Sequence, residues 1–251
     1  MNSTLVIQSC SPAQQAGWMQ SCLASVRQWA AAHGYDYRFA GDEIFDLVPQ
    51  WYRLKVGSKL PVATDYARLI LIQQALQQGY QQALWLDADV LVLDQSMQLD
   101  FAGSCAFGQE VWVQERDGKM QSRHNIHNAV AVFRAHCVLL PFLLHCVESV
   151  MRRVNPLHIA PQLAGPKLLQ ALHPLFDFAL LPEVGALSPA VVADLCRQGQ
   201  PGEGEALRQL LKQSVVLPQA VNLCASLITP ALAQTVIESL QSTGLSSVHH
   251  K

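Results

Sequence analysis

Apolar residues fall into two rhythms along this chain. Residues 4–8 are a short apolar run that predicts a strand, and Ser9-Cys10-Ser11-Pro12 predicts the turn that ends it. Over 14–32, Trp18, Cys22, Val26 and Trp29 recur at intervals of three and four, the period of an amphipathic helix. His33-Gly34 closes that helix, and 35–40 predicts a second strand. Strand, helix, strand in that order implies a parallel crossover unit. Residues 42–62 keep no rhythm and carry Pro49, Gly57 and Pro61. A strong helix follows over 64–78, with Tyr66, Leu69, Ile70 and Leu76 on its apolar face and Gly79 closing it. Residues 83–86 are apolar on both faces, the mark of a fully buried strand.

Further strands are predicted at 110–115 and 129–134, and a helix over 138–154. Beyond Pro161, Gly165 and Pro166 come a short helix at 167–173, a strand at 178–181, a Gly/Pro/Glu loop at 198–205, and helices over 206–213 and 229–240. The pattern predicts one α/β domain over 1–251 with a helical C-terminal part.

Composition narrows the function. Half of the 251 residues are hydrophobic, enough for a sizeable core, and 14% are charged. The net charge of −2 and the lack of a long basic block argue against nucleic-acid binding. No apolar run approaches the ~20 residues of a transmembrane helix. The start, Met1-Asn2-Ser3-Thr4, lacks the cationic head of a signal peptide, so the expected location is cytoplasmic. Seven cysteines with no CxxC pair resemble neither a disulfide framework nor a zinc ribbon. A chain this apolar is also a candidate homodimer. His249-His250-Lys251 is set aside from the fold reading.

The richest chemistry lies in Trp85-Leu86-Asp87-Ala88-Asp89-Val90, where an apolar run delivers two carboxylates one residue apart. Unpartnered charge is costly to bury, and like charges raise each other's pKa. A pair placed where a buried strand ends therefore points to a positive partner, and Mg²⁺ or Mn²⁺ suits oxygen ligands shared with phosphates. If the strand continues through Asp89, both carboxylates face one way; if it ends near Asp87, the following turn can still converge them. Asp65 and Arg68 are one helical turn apart, either a local ion pair or a grip on a hydroxyl and a phosphate. His124 and His127 offer a further metal or substrate contact in an extended loop, and Lys59 and Lys167 are candidates to face phosphates.

Together these segments resemble GT-A fold glycosyltransferases with a DxD motif, nucleotide-sugar-dependent enzymes of the bacterial polysaccharide and mannosyl/galactosyl type. The resemblance is carried by Thr64-Asp65-Tyr66-Ala67-Arg68-Leu69, then Gly79-Tyr80, then Trp85 to Val90. His127-Asn128-Ala129-Val130-Ala131-Val132-Phe133 is similar to the family's donor-facing strand, and Gly165-Pro166-Lys167-Leu168-Leu169 to one of its helix starts. It implies a Rossmann-like, mostly parallel mixed sheet flanked by helices, with 1–135 as the nucleotide-sugar-binding half and 136–251 as the acceptor-side half.

The implied activity is hexosyl transfer from a nucleotide-diphospho-sugar, a UDP-sugar foremost, to a saccharide or other hydroxyl acceptor, with Mn²⁺ or Mg²⁺. Asp89 would be the main metal ligand, with Asp87 reaching the metal through water or holding the ribose. Ser9 would lie near the base. Asp65, Arg68, Ala88 and Lys167 would line the donor, and Asn128 would hydrogen-bond its sugar. Ala129 stands where the family has glycine, and a late metal ligand has only His173, Asp177 and Glu183 as candidates. Two rival readings are a non-catalytic nucleotide-sugar-binding protein and a haloacid-dehalogenase-type phosphatase with Asp87 as nucleophile. Against the phosphatase, Leu91 replaces the Thr or Val usual there, and the motif comes late in the chain.

Overall fold

The computed structural model describes residues 3–15, 17–197 and 204–245. β1 (Thr4–Ser9) leads through a 3-10 turn at Pro12–Gln14 into α1 (Trp18–Ala32). The helix starts later than its rhythm suggests because Gly17, just before it, holds φ at 63°, outside the helical region. β2 (Asp36–Ala40) then pairs parallel with β1. The stretch without rhythm contains a 3-10 turn at Asp42–Leu47 and α2 (Gln50–Val56). α3 (Leu60–Gln77) opens four residues ahead of its apolar face. Pro61 sits in its first turn, where a missing N–H breaks no intrahelical bond.

β3 (Gln82–Leu86) and β4 (Val90–Val92) flank the two carboxylates. β5 (Cys105–Arg116) and β6 (Lys119–Arg134) form one long hairpin. Its turn is Asp117-Gly118, with φ of 53° and 70°, the twist that matches a two-residue hairpin. The predicted strands 110–115 and 129–134 are parts of these arms. Residues 124–128, read as a loop, belong to β6; their polar side chains masked the strand.

α4 (Leu139–Arg153), a 3-10 turn at Pro156–His158, α5 (Pro166–Leu172) and β7 (Ala179–Leu181) follow. Then come β8 (Val184–Ala186), α6 (Pro189–Cys196), α7 (Glu205–Gln213), β9 (Ala220–Asn222) and α8 (Pro230–Thr243). Of the predicted 198–205 loop, residues 198–203 lie outside the described residues. β8 and β9 were not predicted, since three residues are too few to show alternation.

The main sheet has the order β2-β1-β3-β6-β5-β7, and β6 alone runs against the other five strands. This is a mixed, mostly parallel sheet with helices on both faces. Leu5, Ile7, Trp85 and Phe133 face a core shared with α3 and α4, while Val6, Leu84, Leu86 and Val132 face Val26 and Trp29 of α1. A second sheet, β4-β9-β8, ties the carboxylate turn to the C-terminal helices, whose apolar faces close over Leu91, Val111, Val113 and Val221. No helix among the described residues is long and apolar enough to cross a membrane.

One irregularity shapes the site. Pairing between β5 and β6 slips from Phe107↔Ala131 to Gly108↔His127, leaving residues 128–130 of β6 as a bulge. The His127 ring fills the space above Gly108, where a Cβ would lie 2.1 Å from it. Its Nδ1 accepts from the Ala129 N–H at 3.2 Å and its Nε2–H donates to the Val184 carbonyl at 2.9 Å. Both ring nitrogens are thus engaged within the fold, and the bulge turns Asn128 toward α3.

Candidate active site

β3 ends at Leu86, so of the two possible courses the turn is the one observed: the Val90 N–H donates to the Asp87 carbonyl at 3.1 Å. The Asp87 N–H continues the ladder by donating to the Ala129 carbonyl at 2.8 Å. Asp87 points toward α3. Its Oδ1 accepts from the Trp85 indole N–H at 2.6 Å and lies 3.2 Å from Arg68 Nη1. Among the described residues, nothing donates to its Oδ2, and a quarter of its side chain is exposed (26%).

Arg68 is the hub. It pairs with Asp65 at 3.2 Å, donates to the Asn128 carbonyl, and lies over the Trp85 ring at 5.1 Å. Asn128 in turn donates to Asp65 at 2.7 Å. Asp65 and Arg68 are each 5% exposed, so this is a buried network rather than the exposed pair their spacing alone allows. Among the described residues Arg68 Nε has no hydrogen-bond partner, and a cavity of about 20 Å³ adjoins this network, walled by Asn128, Gly165, Leu143 and Leu169. That is room for about one water.

Burial pushes the Asp65 carboxyl up to about 6, with Arg68 and Asn128 pulling it down and Asp87 pushing it further up. In the unfolded chain the same group titrates at its ordinary value of 3.8. Below about pH 4 both states carry the proton, and as pH rises through 6 only the fold must hold a bare buried carboxylate. This group's contribution to stability is therefore present at low pH and lost between about pH 4 and 6, by up to ~3 kcal/mol. We expect the urea midpoint to fall over that interval, and Asp65→Asn to flatten the fall.

Asp89 has different partners, at the end of β9 and in the loop after it. Its Oδ1 accepts from Asn222 Nδ2 at 2.8 Å and its Oδ2 from the Ala225 N–H at 2.8 Å, while its carbonyl accepts from the Leu223 N–H at 3.0 Å. Asn222 also holds the Cys224 N–H at 2.7 Å, and Cys224 adopts φ of 53°. The enclosed Asp89 carboxyl is pushed up to about 6, by burial first and then by the charge of Asp87. Asn222 and the 223–225 backbone had no signal in the sequence, because they lie on a three-residue strand far along the chain.

Glu110 is a further acid that sequence reasoning missed. It is half-buried on β5, accepts from Asn125 Nδ2 at 3.0 Å, and its charge acts on Cys224 together with those of Asp89 and Asp87. Gly165 also gains a role: a Cβ there would meet Asn128 Nδ2 at 2.6 Å and Asp65 Oδ2 at 2.7 Å. We expect Gly165→Ala to push these groups apart, cost ~1–3 kcal/mol in denaturant unfolding, and weaken any ligand held by Asp65.

Ser9 ends β1 level with Asp87, two residues past the Ile7↔Trp85 pair, with its Oγ 3.5 Å from the Gly41 carbonyl. Ala88 packs beside Met19, Leu23 and Ala225. Lys167 is exposed, two residues past the Gly165 contact. Lys59 donates to the Pro156 and Ile159 carbonyls, outside the site. The late candidates do not converge on it either. The His173 ring packs on Phe178 at 4.8 Å, Asp177 is exposed, and Glu183 precedes β8 at the end away from Asp89. Among the described residues no three His, Cys, Asp or Glu side chains form a metal cluster.

No family model matches the chain, and no curated protein matches it. Among solved structures it is similar to a glycosyltransferase involved in glycosylation of the major capsid of PBCV-1. The TM-score is 0.52 at 14% identity, over 94% of this chain and 98% of that one. A structure described only as a transferase has a TM-score of 0.34 at 11% identity, over 72% of this chain and 91% of that one, too remote to inform the fold. The first likeness shows the fold: a mixed α/β domain similar to that of a glycosyltransferase.

Proposed function

We propose that the chain is a metal-dependent glycosyltransferase of GT-A type, moving a hexose from a nucleotide-diphospho-sugar, with a UDP-sugar favoured, to a hydroxyl acceptor. The observation that carries this reading is the pair Asp87 and Asp89 at the carboxyl end of β3, braced respectively by Arg68 and by the 222–225 loop. Open α/β sheets bind ligands at that end of their strands.

The residues present fit a divalent cation. Among the described residues nothing donates to Asp87 Oδ2, and the Asp89 carboxyl is pushed up first by burial and then by the charge of Asp87, a cost that a cation beside the pair would relieve. Two carboxylates, with no third His, Cys, Asp or Glu clustered on them among the described residues, suit Mg²⁺ or Mn²⁺, which would complete its shell with diphosphate and water. When bound, the ion supplies Lewis-acid stabilisation of the leaving diphosphate.

The chain's own side chains do the rest. Arg68 fixes Asp87 from a dry interior, so the carboxylate meets its ligand without reorganising. Asn128, whose Nδ2 donates to Asp65 at the bulge, would hydrogen-bond the sugar. Ser9, level with Asp87, would border the nucleotide base. Ala88, small and packed beside Met19 and Leu23, would leave room for the donor, and Lys167 in the first turn of α5 would face its diphosphate.

Glu110, whose charge acts on Cys224 together with those of Asp89 and Asp87, is the carboxylate we assign to take the acceptor proton if transfer inverts the sugar. We then expect Glu110→Gln to lower kcat by about 10²–10⁴ with donor affinity unchanged. Nucleoside-diphosphate release from UDP-sugars, with Mn²⁺ or with EDTA, tests the activity. Metal-dependent release supports it, and donor binding without release or transfer favours a non-catalytic binding protein.

A further inference from the structure

Five of the chain's seventeen Lys and Arg residues gather on one surface, formed by the ends of α2 and α4 and the turn that follows each. They are Arg53, Lys55, Lys59, Arg152 and Arg153. Lys55 Nζ donates to the Arg152 carbonyl at 2.9 Å, and Lys59 Nζ to the Pro156 and Ile159 carbonyls at 3.3 and 3.1 Å. These carbonyls position the ammonium groups without neutralising them. The acids here are Asp46, 3.4 Å from Arg53, and Glu148, 3.4 Å from Arg152, both in exposed and therefore weak pairs. The surface is thus net positive on a chain whose net charge is −2.

Three leucines stand among these cations: Leu54 is 75% exposed, Leu60 52% and Leu157 82%. Trp51 lies one helical turn before Leu54, with the Arg152 guanidinium 4.1 Å above its ring. Apolar side chains left in water within a basic rim match the headgroup boundary of an anionic bilayer, where leucines enter the acyl edge and cations meet lipid phosphates.

We propose that this surface seats the protein on an anionic membrane. A second copy is a poor occupant, because a twofold interface would set these cations against themselves. Leu60 also opens α3, which carries Asp65 about 8 Å further along its axis. Seating therefore brings the candidate active site close to the membrane plane. On the proposed transferase reading, the acceptor hydroxyl then belongs to a membrane-borne lipid.

Flotation of the full chain with vesicles tests the seating without any nucleotide, so its outcome is separate from that of the transferase reading. Vesicles of phosphatidylcholine with one-third phosphatidylglycerol should carry the protein, at least about tenfold better than phosphatidylcholine alone, and less so at high salt. Arg53→Gln with Arg153→Gln, and separately Leu54→Ser with Leu157→Ser, should each cut partitioning about tenfold while leaving the thermal melt in place. The proposal is overturned if the wild type fails to float or if both variants float equally well. It is also overturned if sedimentation equilibrium shows a dimer that the leucine variant abolishes, or if duplex DNA competes the protein off the vesicles.

Discussion

Arg68→Met is expected to cost about 3–5 kcal/mol of stability in urea unfolding, the largest effect of any single substitution in the site. The side chain removed is the partner of Asp65 and Asp87 at 3.2 Å each and a donor to the Asn128 carbonyl. Asp65 is 5% exposed and cannot recover the loss by turning to water. The double variant Arg68→Met, Asp65→Asn should be less destabilised than the sum of its parts, since the second change removes the stranded charge. Additive losses would mean that the pair is not a coupled unit. Donor binding should fail in the single variant even under conditions where it stays folded, because Asp87 loses its brace.

Asp89→Asn is expected to weaken metal-dependent nucleotide binding by at least about 10²-fold. Both groups that meet the Asp89 carboxylate are donors, the Asn222 amide and the Ala225 N–H. An asparagine amide must turn its own N–H₂ toward one of them. We expect a stability loss of ~1–3 kcal/mol from that mismatch, read as a lower thermal midpoint. The binding loss should exceed it and should be matched in wild type by EDTA. Equal losses of stability and affinity would reduce Asp89 to a brace for the 222–225 loop.

Much of this architecture could be read from the residues. The alternation of Leu5, Val6 and Ile7 and the apolar run ending at Leu86 mark strands buried on both faces, and the α1 and α3 rhythms set the crossover order. The position of Asp87 and Asp89 at a strand end followed from the same run. What escaped has identifiable causes. β8 and β9 are three residues long, and their pairing joins segments distant in sequence. The β5–β6 hairpin hid behind polar residues on its outer half, although Asp117-Gly118 is itself a hairpin signal. Asp65 and Arg68 were open to two readings because helical spacing carries no information on burial. The bulge at 128–130, the approach of Gly165 and the Trp85 ring help to enclose them.

The most direct measurement is calorimetric titration of UDP, UDP-sugars and GDP-sugars into wild type and Asp89→Asn, each with Mn²⁺ and with EDTA. Binding should require the metal, favour uridine nucleotides, and be lost in Asp89→Asn at a temperature where the variant remains folded. Absence of nucleotide binding to wild type under every metal condition would contradict the proposed function, and so would binding indifferent to both EDTA and Asp89.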